Sequence, residues 1–189
     1  MGSSLCTLGG IGAAHHFQAK NPEPERERRA PDDTETPSIS WPNYHSGSNG
    51  DFQAITAIEP LHELLRNPDS PSGRVEYLPA HPHEGAVASP VDDASARVIA
   101  RGRSLTTGRP FNLVVAFERS TDAEGNRLGR AIAESSFHHF ADYNWDPACG
   151  CPSFVTEPVG DALGKSARAA ADIRRYVRNA ALWLAPVSS

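Results

Sequence analysis

FNLVVAF, residues 111–117, decides how this chain is read. Apolar side chains fill almost every position. Such a run needs cover on both faces, which is the pattern of a strand in the middle of a parallel sheet. Working outward, residues 97–101 (RVIAR) and 130–135 (RAIAES) read as further strands. The segments TTGRP and DAEGNRLG between them read as turns. Upstream, residues 74–78 (RVEYL) form a strand that runs into PAHPHEG, and residues 59–66 (EPLHELLR) suit a short helix opened by Pro60. Near the start, residues 3–8 (SSLCTL) read as a strand ending at Gly9-Gly10, followed by the helix-forming IGAAHHFQAK. Residues 161–184 read as an amphipathic helix, with Ala167, Ala170, Ile173, Val177, Ala181 and Leu184 near one face.

These elements fit one domain spanning residues 1–189, a length that gives room for one core. Residues 20–53 interrupt the pattern. They hold Pro22, Pro24, Pro31, Pro37 and Pro42 and the charged run EPERERR. Connections this long are usually functional loops or unstructured. Its first half reads as solvated. Its second half carries Trp41, Tyr44 and Phe52 and is expected to pack down.

Composition narrows the function classes. Hydrophobic residues make up 39% of the chain, and the deficit is concentrated in the Pro-rich stretch. The net charge is −5 and no basic stripe is present, so nucleic acid is not an expected partner. No apolar run approaches the roughly 20 residues of a membrane helix, and no signal-peptide pattern opens the chain. Cys6, Cys149 and Cys151 are an odd number without framework spacing, which points to a reducing, cytoplasmic setting.

Two clusters carry potential chemistry, each directly after an expected strand. One is His81-Pro82-His83-Glu84-Gly85. The other runs from Ser135 to Asp146 and includes His138, His139, Asp142, Asn144 and Trp145. In open α/β sheets, ligands sit beyond the carboxyl ends of parallel strands. If both strands run parallel, the two loops share a rim. Imidazole and carboxylate would suit a divalent metal, zinc or iron, with His81, His83 and His139 as ligands. A metal-free pocket is the alternative, with Glu84 as general base beside His83 and His138 as catalytic groups. His81, His139, Asp142 and Asn144 would then contact a small polar ligand. Trp41, Tyr44, His45 and Asn49 would fold over the rim as a lid. The plainer reading makes His81 or His83 a turn cap and one of His138 and His139 a packed residue between Phe137 and Phe140. Adjacent residues at a strand end point in opposite directions, so His138 and His139 are not expected to share a site. Cys6 precedes its glycine turn and reads as a small core residue. Cys149-Gly150-Cys151 lacks the second pair of a structural zinc site.

Four segments carry a family resemblance: GRAIAESSFHHF, RVEYLPAHPHEG, GDFQAI and the opening LCTLGG-IGAA. Together they resemble the ThuA-like branch of the class I glutamine amidotransferase superfamily, over residues 3–157. The resemblance implies a three-layer α/β/α flavodoxin-like sandwich with a mostly parallel sheet. It implies a hydrolase acting on a small polar metabolite such as a sugar derivative, with a non-catalytic ligand-binding or structural module, or an inactive truncated product, as the alternatives. Two departures stand out. The elbow position that would hold a cysteine nucleophile reads Leu8-Gly9-Gly10, so glutaminase activity is not expected. The opening βα units of the superfamily are missing, which suggests a truncated chain. An exposed sheet edge would then invite a homo-oligomer or a completing chain.

Overall fold

The computed structural model describes residues 44–85, 87, 89, 93–106, 108–153, 155 and 157–186. The expected opening strand, Cys6 and Trp41 lie outside the described residues, as does most of the Pro-rich loop.

Among the described residues, eight strands form three antiparallel sheets. The largest takes the order β2-β4-β5-β8. It contains β2 (Thr56–Ala57), β4 (Ala96–Arg103), β5 (Pro110–Phe117) and β8 (Ala131–Glu134). A second sheet pairs β1 (Phe52–Ala54) with β3 (Tyr77–Pro79). A small ribbon, β6 (Ser120–Thr121) with β7 (Arg127–Leu128), extends the connection from β5 to β8. No helix among the described residues is long and apolar enough to cross a membrane.

The flavodoxin-like parallel sandwich expected from the sequence is therefore not the fold. Connection length explains why. Only residues 104–109 link β4 to β5, and a parallel pair needs a crossover of about a dozen residues or more. The chain instead turns back through Ser104, whose N–H reaches Arg109 O at 2.9 Å, with Gly108 at φ +72°. The resulting hairpin runs from Ala96↔Phe117 to Arg103↔Pro110, with an irregular register around Val98 and Ala100. On its other side β5 pairs with β8, from Phe117↔Ala131 to Val114↔Glu134.

β5 is central and covered on both faces, which accounts for its unbroken apolar run. Val114 and Ala116 join the larger core with Leu64, Leu65, Leu78 and Ile99. Val115 and Phe117 join a smaller one with Val87, Ala131 and Ala133.

Among the described residues, three α-helical segments follow the sheets: the single turns α1 (Asp142–Trp145) and α2 (Ala162–Lys165), and the long α3 (Ala167–Leu184). Ser166 separates the last two and caps α3, accepting from Ala169 N at 3.2 Å. The helix expected over 161–184 is thus two helices. Its buried face is also rotated from the expected one. Ala169, Asp172, Ile173, Tyr176, Ala180 and Trp183 face inward. Burying Ile173, Tyr176 and Trp183 stabilises the docked helix by roughly 1.5–3 kcal/mol for each large side chain. Asp172 fixes the helix in register: its carboxylate accepts from Asn67 Nδ2 at 2.6 Å and from Glu76 N at 2.8 Å.

The described part of the long loop does pack down. Tyr44 stacks on Phe111 with ring centroids 4.5 Å apart, and Phe52 meets Tyr77 edge-on. Tyr44 also bridges to Glu84, N to O at 2.7 Å and back at 2.9 Å. The helix expected over 59–66 shrinks to a 3-10 turn at Glu63–Leu65.

Candidate functional site

The two histidine-bearing turns do meet, although the strands that precede them belong to different sheets. β3 leads into residues 80–85. β8 leads into a 3-10 turn at Phe137–Phe140, capped by Ser136, whose Oγ accepts from His138 N at 3.1 Å. Ser46 shapes the first turn from below: its Oγ accepts from His81 N at 2.9 Å. The His83 N–H donates to His81 Nδ1 at 3.1 Å. These bonds bring the His81 ring flat against His138, with centroids 3.5 Å apart and planes 17° from parallel. The Tyr143 hydroxyl sits 2.6 Å from His138 Nδ1.

Two imidazoles this close cannot both carry charge. Burial, then the neighbouring His138 and His83, push His81 down to about 2. Burial, then His139, push His138 down to about 4. Both are free bases at neutral pH. Tyr143 shifts upward because it is buried and lies near Cys151 and Asp142, so its hydroxyl keeps its proton.

His139 turns the other way and has the opposite character. Its Nδ1 lies 2.6 Å from Glu134 Oε2. Its Nε2 lies 3.5 Å from Glu84 Oε2, an ion-pair distance without hydrogen-bond alignment. Burial works against a charged ring here, but the two carboxylates outweigh it and raise His139 to about 10. Charge attraction across 3.5 Å needs no exact alignment, so we read the Glu84 contact as ionic. His139 is therefore an imidazolium.

Glu84 is fully buried behind this ring. Its Oε1 contacts Ser46 Oγ and Gln53 Nε2, and its Oε2 accepts from Ser135 Oγ at 3.0 Å. Gly102 makes the Gln53 contact possible: a Cβ there would stand 2.6 Å from Gln53 Oε1 and 2.9 Å from the Phe111 ring. Glu84 thus ties together the 44–49 loop, β1 and the end of β8. Glu134 accepts from the Tyr176 hydroxyl through Oε1. Burial and the adjacent carboxylate hold Tyr176 well above its ordinary range, so it stays a donor.

A cleft of about 710 Å³ opens beside this network. Its long wall is apolar, formed by Ile132, Phe137, Phe140, Val177, Ala180, Ala181 and Leu184. Phe137, Phe140 and Leu184 are exposed at its mouth. Its polar end is formed by His81, His83, His138, Glu134, Ser135 and Ser136.

The expected site residues separate into groups. His81, His83 and His138 meet at the cleft, where His83 also pairs with Glu157 at 2.5 Å. Glu84 and His139 are not part of its lining, so Glu84 is not placed as a base facing a ligand. Asn144 is structural, donating to Ala80 O at 2.8 Å. Asp142 is exposed and bonds only its own turn, through Tyr143 N. His45 contributes a backbone carbonyl to Leu105 N. The proposed metal triad does not form. Among the described residues no three His, Cys, Asp or Glu side chains are arranged to hold an ion. His139 is committed to two carboxylates, and His81 Nδ1 to a backbone N–H. The sequence reading assigned no role to Glu134, Tyr143, Tyr176 or the Val177–Leu184 wall. The apolar period of the last helix was the available signal for the wall.

Comparison with protein-family models, with curated proteins and with solved structures finds no match to this chain.

Proposed function

We propose that the cleft binds a small, largely apolar molecule whose polar group rests against the His81–His138 pair. The observation that carries this is the junction of an apolar wall with two stacked, uncharged imidazoles. The volume falls in the range of small-ligand sites, which are mostly apolar with a few convergent polar groups. The polar sugar derivative expected from the sequence would leave its hydroxyls unpaired along Ile132, Val177 and Leu184.

A hydrolytic reading has one specific support. The Tyr143–His138 pair places a free-base imidazole at the cleft, the charge state a general base needs, although its lone pair at Nδ1 faces Tyr143 and not the ligand space. With its low basicity His138 is a weak base, so binding is the stronger reading. A cytoplasmic setting is proposed on the unpaired thiols of Cys149 and Cys151.

The test is titration with Nile red, an uncharged polarity-sensitive dye, followed by fluorescence. Binding is expected for the parent protein and lost in Val177→Trp and Ala181→Trp, which fill the cleft from the partly exposed side of α3. Equal binding by both folded variants would refute the assignment.

A further inference from the structure

Resting on that reading, we infer that the cleft selects an uncharged carbonyl compound, such as a ketone, aldehyde or ester on a hydrocarbon chain, over the matching carboxylate or amine.

The polar end presents donors. His81 Nδ1 already accepts the His83 N–H, so the single proton of the neutral ring sits on Nε2. At His138, a phenol facing a neutral imidazole nitrogen is the stronger donor, so Tyr143 donates to Nδ1 and leaves the ring proton on Nε2 as well. Among the described residues no protein group hydrogen-bonds either Nε2, and neither is a sealed, unpartnered atom. A ligand oxygen that only accepts suits two such N–H groups.

Charge and hydrogen bonding disfavour the alternatives. Glu84 and Glu134 flank one imidazolium, His139, and Glu157 pairs with His83, so the groups around the polar end sum to a net negative charge whether or not His83 carries a proton. A carboxylate would be repelled and would lose its hydration against apolar walls. An ammonium brings donors to donors, while both oxygens of Glu134 already hold partners, Tyr176 and His139.

The test compares 2-undecanone, undecanoate and undecylamine by calorimetric titration of the whole protein at pH 7.5. The ketone is expected to bind about tenfold or more tightly than either ion, a gap of about 1.4 kcal/mol. The ketone carbonyl stretch should shift to lower frequency on binding, and His81→Phe should remove both the shift and the preference. A carboxylate or amine that binds as tightly as the ketone would overturn the selectivity while leaving the cleft as a binding site. An unshifted carbonyl in the parent protein would overturn it too, whether or not His81→Phe folds. Failure of all three compounds to bind would remove the cleft reading and this inference together.

Discussion

His81 and His138 stack at 3.5 Å although their turns follow strands of different sheets. The contact joins the β1–β3 pair to the four-stranded sheet through two imidazoles that must both be neutral. Protonating either one places charge in a buried stack, so the junction is sensitive to acid.

This gives the first prediction. The folded values of about 2 and about 4 lie below the ordinary 6.5 of a free histidine. The unfolded chain therefore binds more protons as pH falls below 6.5, and stability drops toward pH 4. Buried His62, also shifted downward mainly by burial, adds to the slope. A paired comparison isolates the stack. His138→Phe keeps a flat ring against His81 but cannot protonate, so its urea midpoint should fall less between pH 6.5 and 4.5 than the parent's. Parallel pH profiles for the two proteins would contradict the stacked neutral pair.

His139 carries the second prediction, with the opposite sign. Its folded value of about 10 lies above 6.5, so its contribution is complete below pH 6.5 and fades as pH rises toward 10. His139→Gln removes the buried cation and leaves Glu84 and Glu134 facing each other. Breaking a buried pair this way costs about 3–5 kcal/mol. Denaturant titrations at pH 7, 8.5 and 9.5 should show the parent losing stability and the variant, already weakened, losing less. A parent with flat stability over that range would mean that His139 is neutral.

Much of this architecture was visible in the residues, and its orientation was not. Residues 97–101 and 111–117 do lie in strands, as do 131–134 of the expected 130–135, and 161–184 is mostly helical, because apolar period reports burial directly. The parallel reading failed at residues 111–117. Val114 and Val115 face different cores, so two-sided burial produced a run that looks like a parallel strand. The short TTGRP connection carried the contrary signal, since it leaves room only for a hairpin. At the site, His81, His83 and His138 were legible as a group because each follows a strand. Glu84 was not legible as buried, because its burial comes from the Tyr44 bridge and from Gln53, both remote in sequence. Tyr143 lies five residues past His138, a spacing that means nothing until the 3-10 turn and α1 fold it back.

Tyr143 supplies the third prediction. Its hydroxyl is the bond that sets the His138 proton on Nε2. Tyr143→Phe should cost about 1 kcal/mol, the usual net worth of one hydrogen bond. The sharper readout is the tautomer. Long-range proton–nitrogen spectra at pH 7.5 should show His138 with a single Nε2–H form in the parent and a mixture in Tyr143→Phe. His81, held by the His83 N–H, should stay in one form in both. If His138 is already mixed in the parent, Tyr143 does not fix the proton and the paired-donor account of the cleft weakens.

Glu84 separates a structural hub from a catalytic base, and so gives the fourth prediction. A base facing the cleft would be replaceable by glutamine with little effect on folding. The hub would not be. Its two oxygens receive Ser46, Gln53 and Ser135 and balance His139. An amide offers one accepting oxygen and puts donors where the other stood, so at least one buried group loses its partner and His139 keeps only Glu134. Glu84→Gln should therefore lower stability by about 3–5 kcal/mol, read as a shifted urea midpoint with an unchanged slope. The fraction that remains folded should bind Nile red with the parent's affinity, because the cleft wall itself is intact. A variant that is as stable as the parent but no longer binds would place Glu84 in the site rather than behind it.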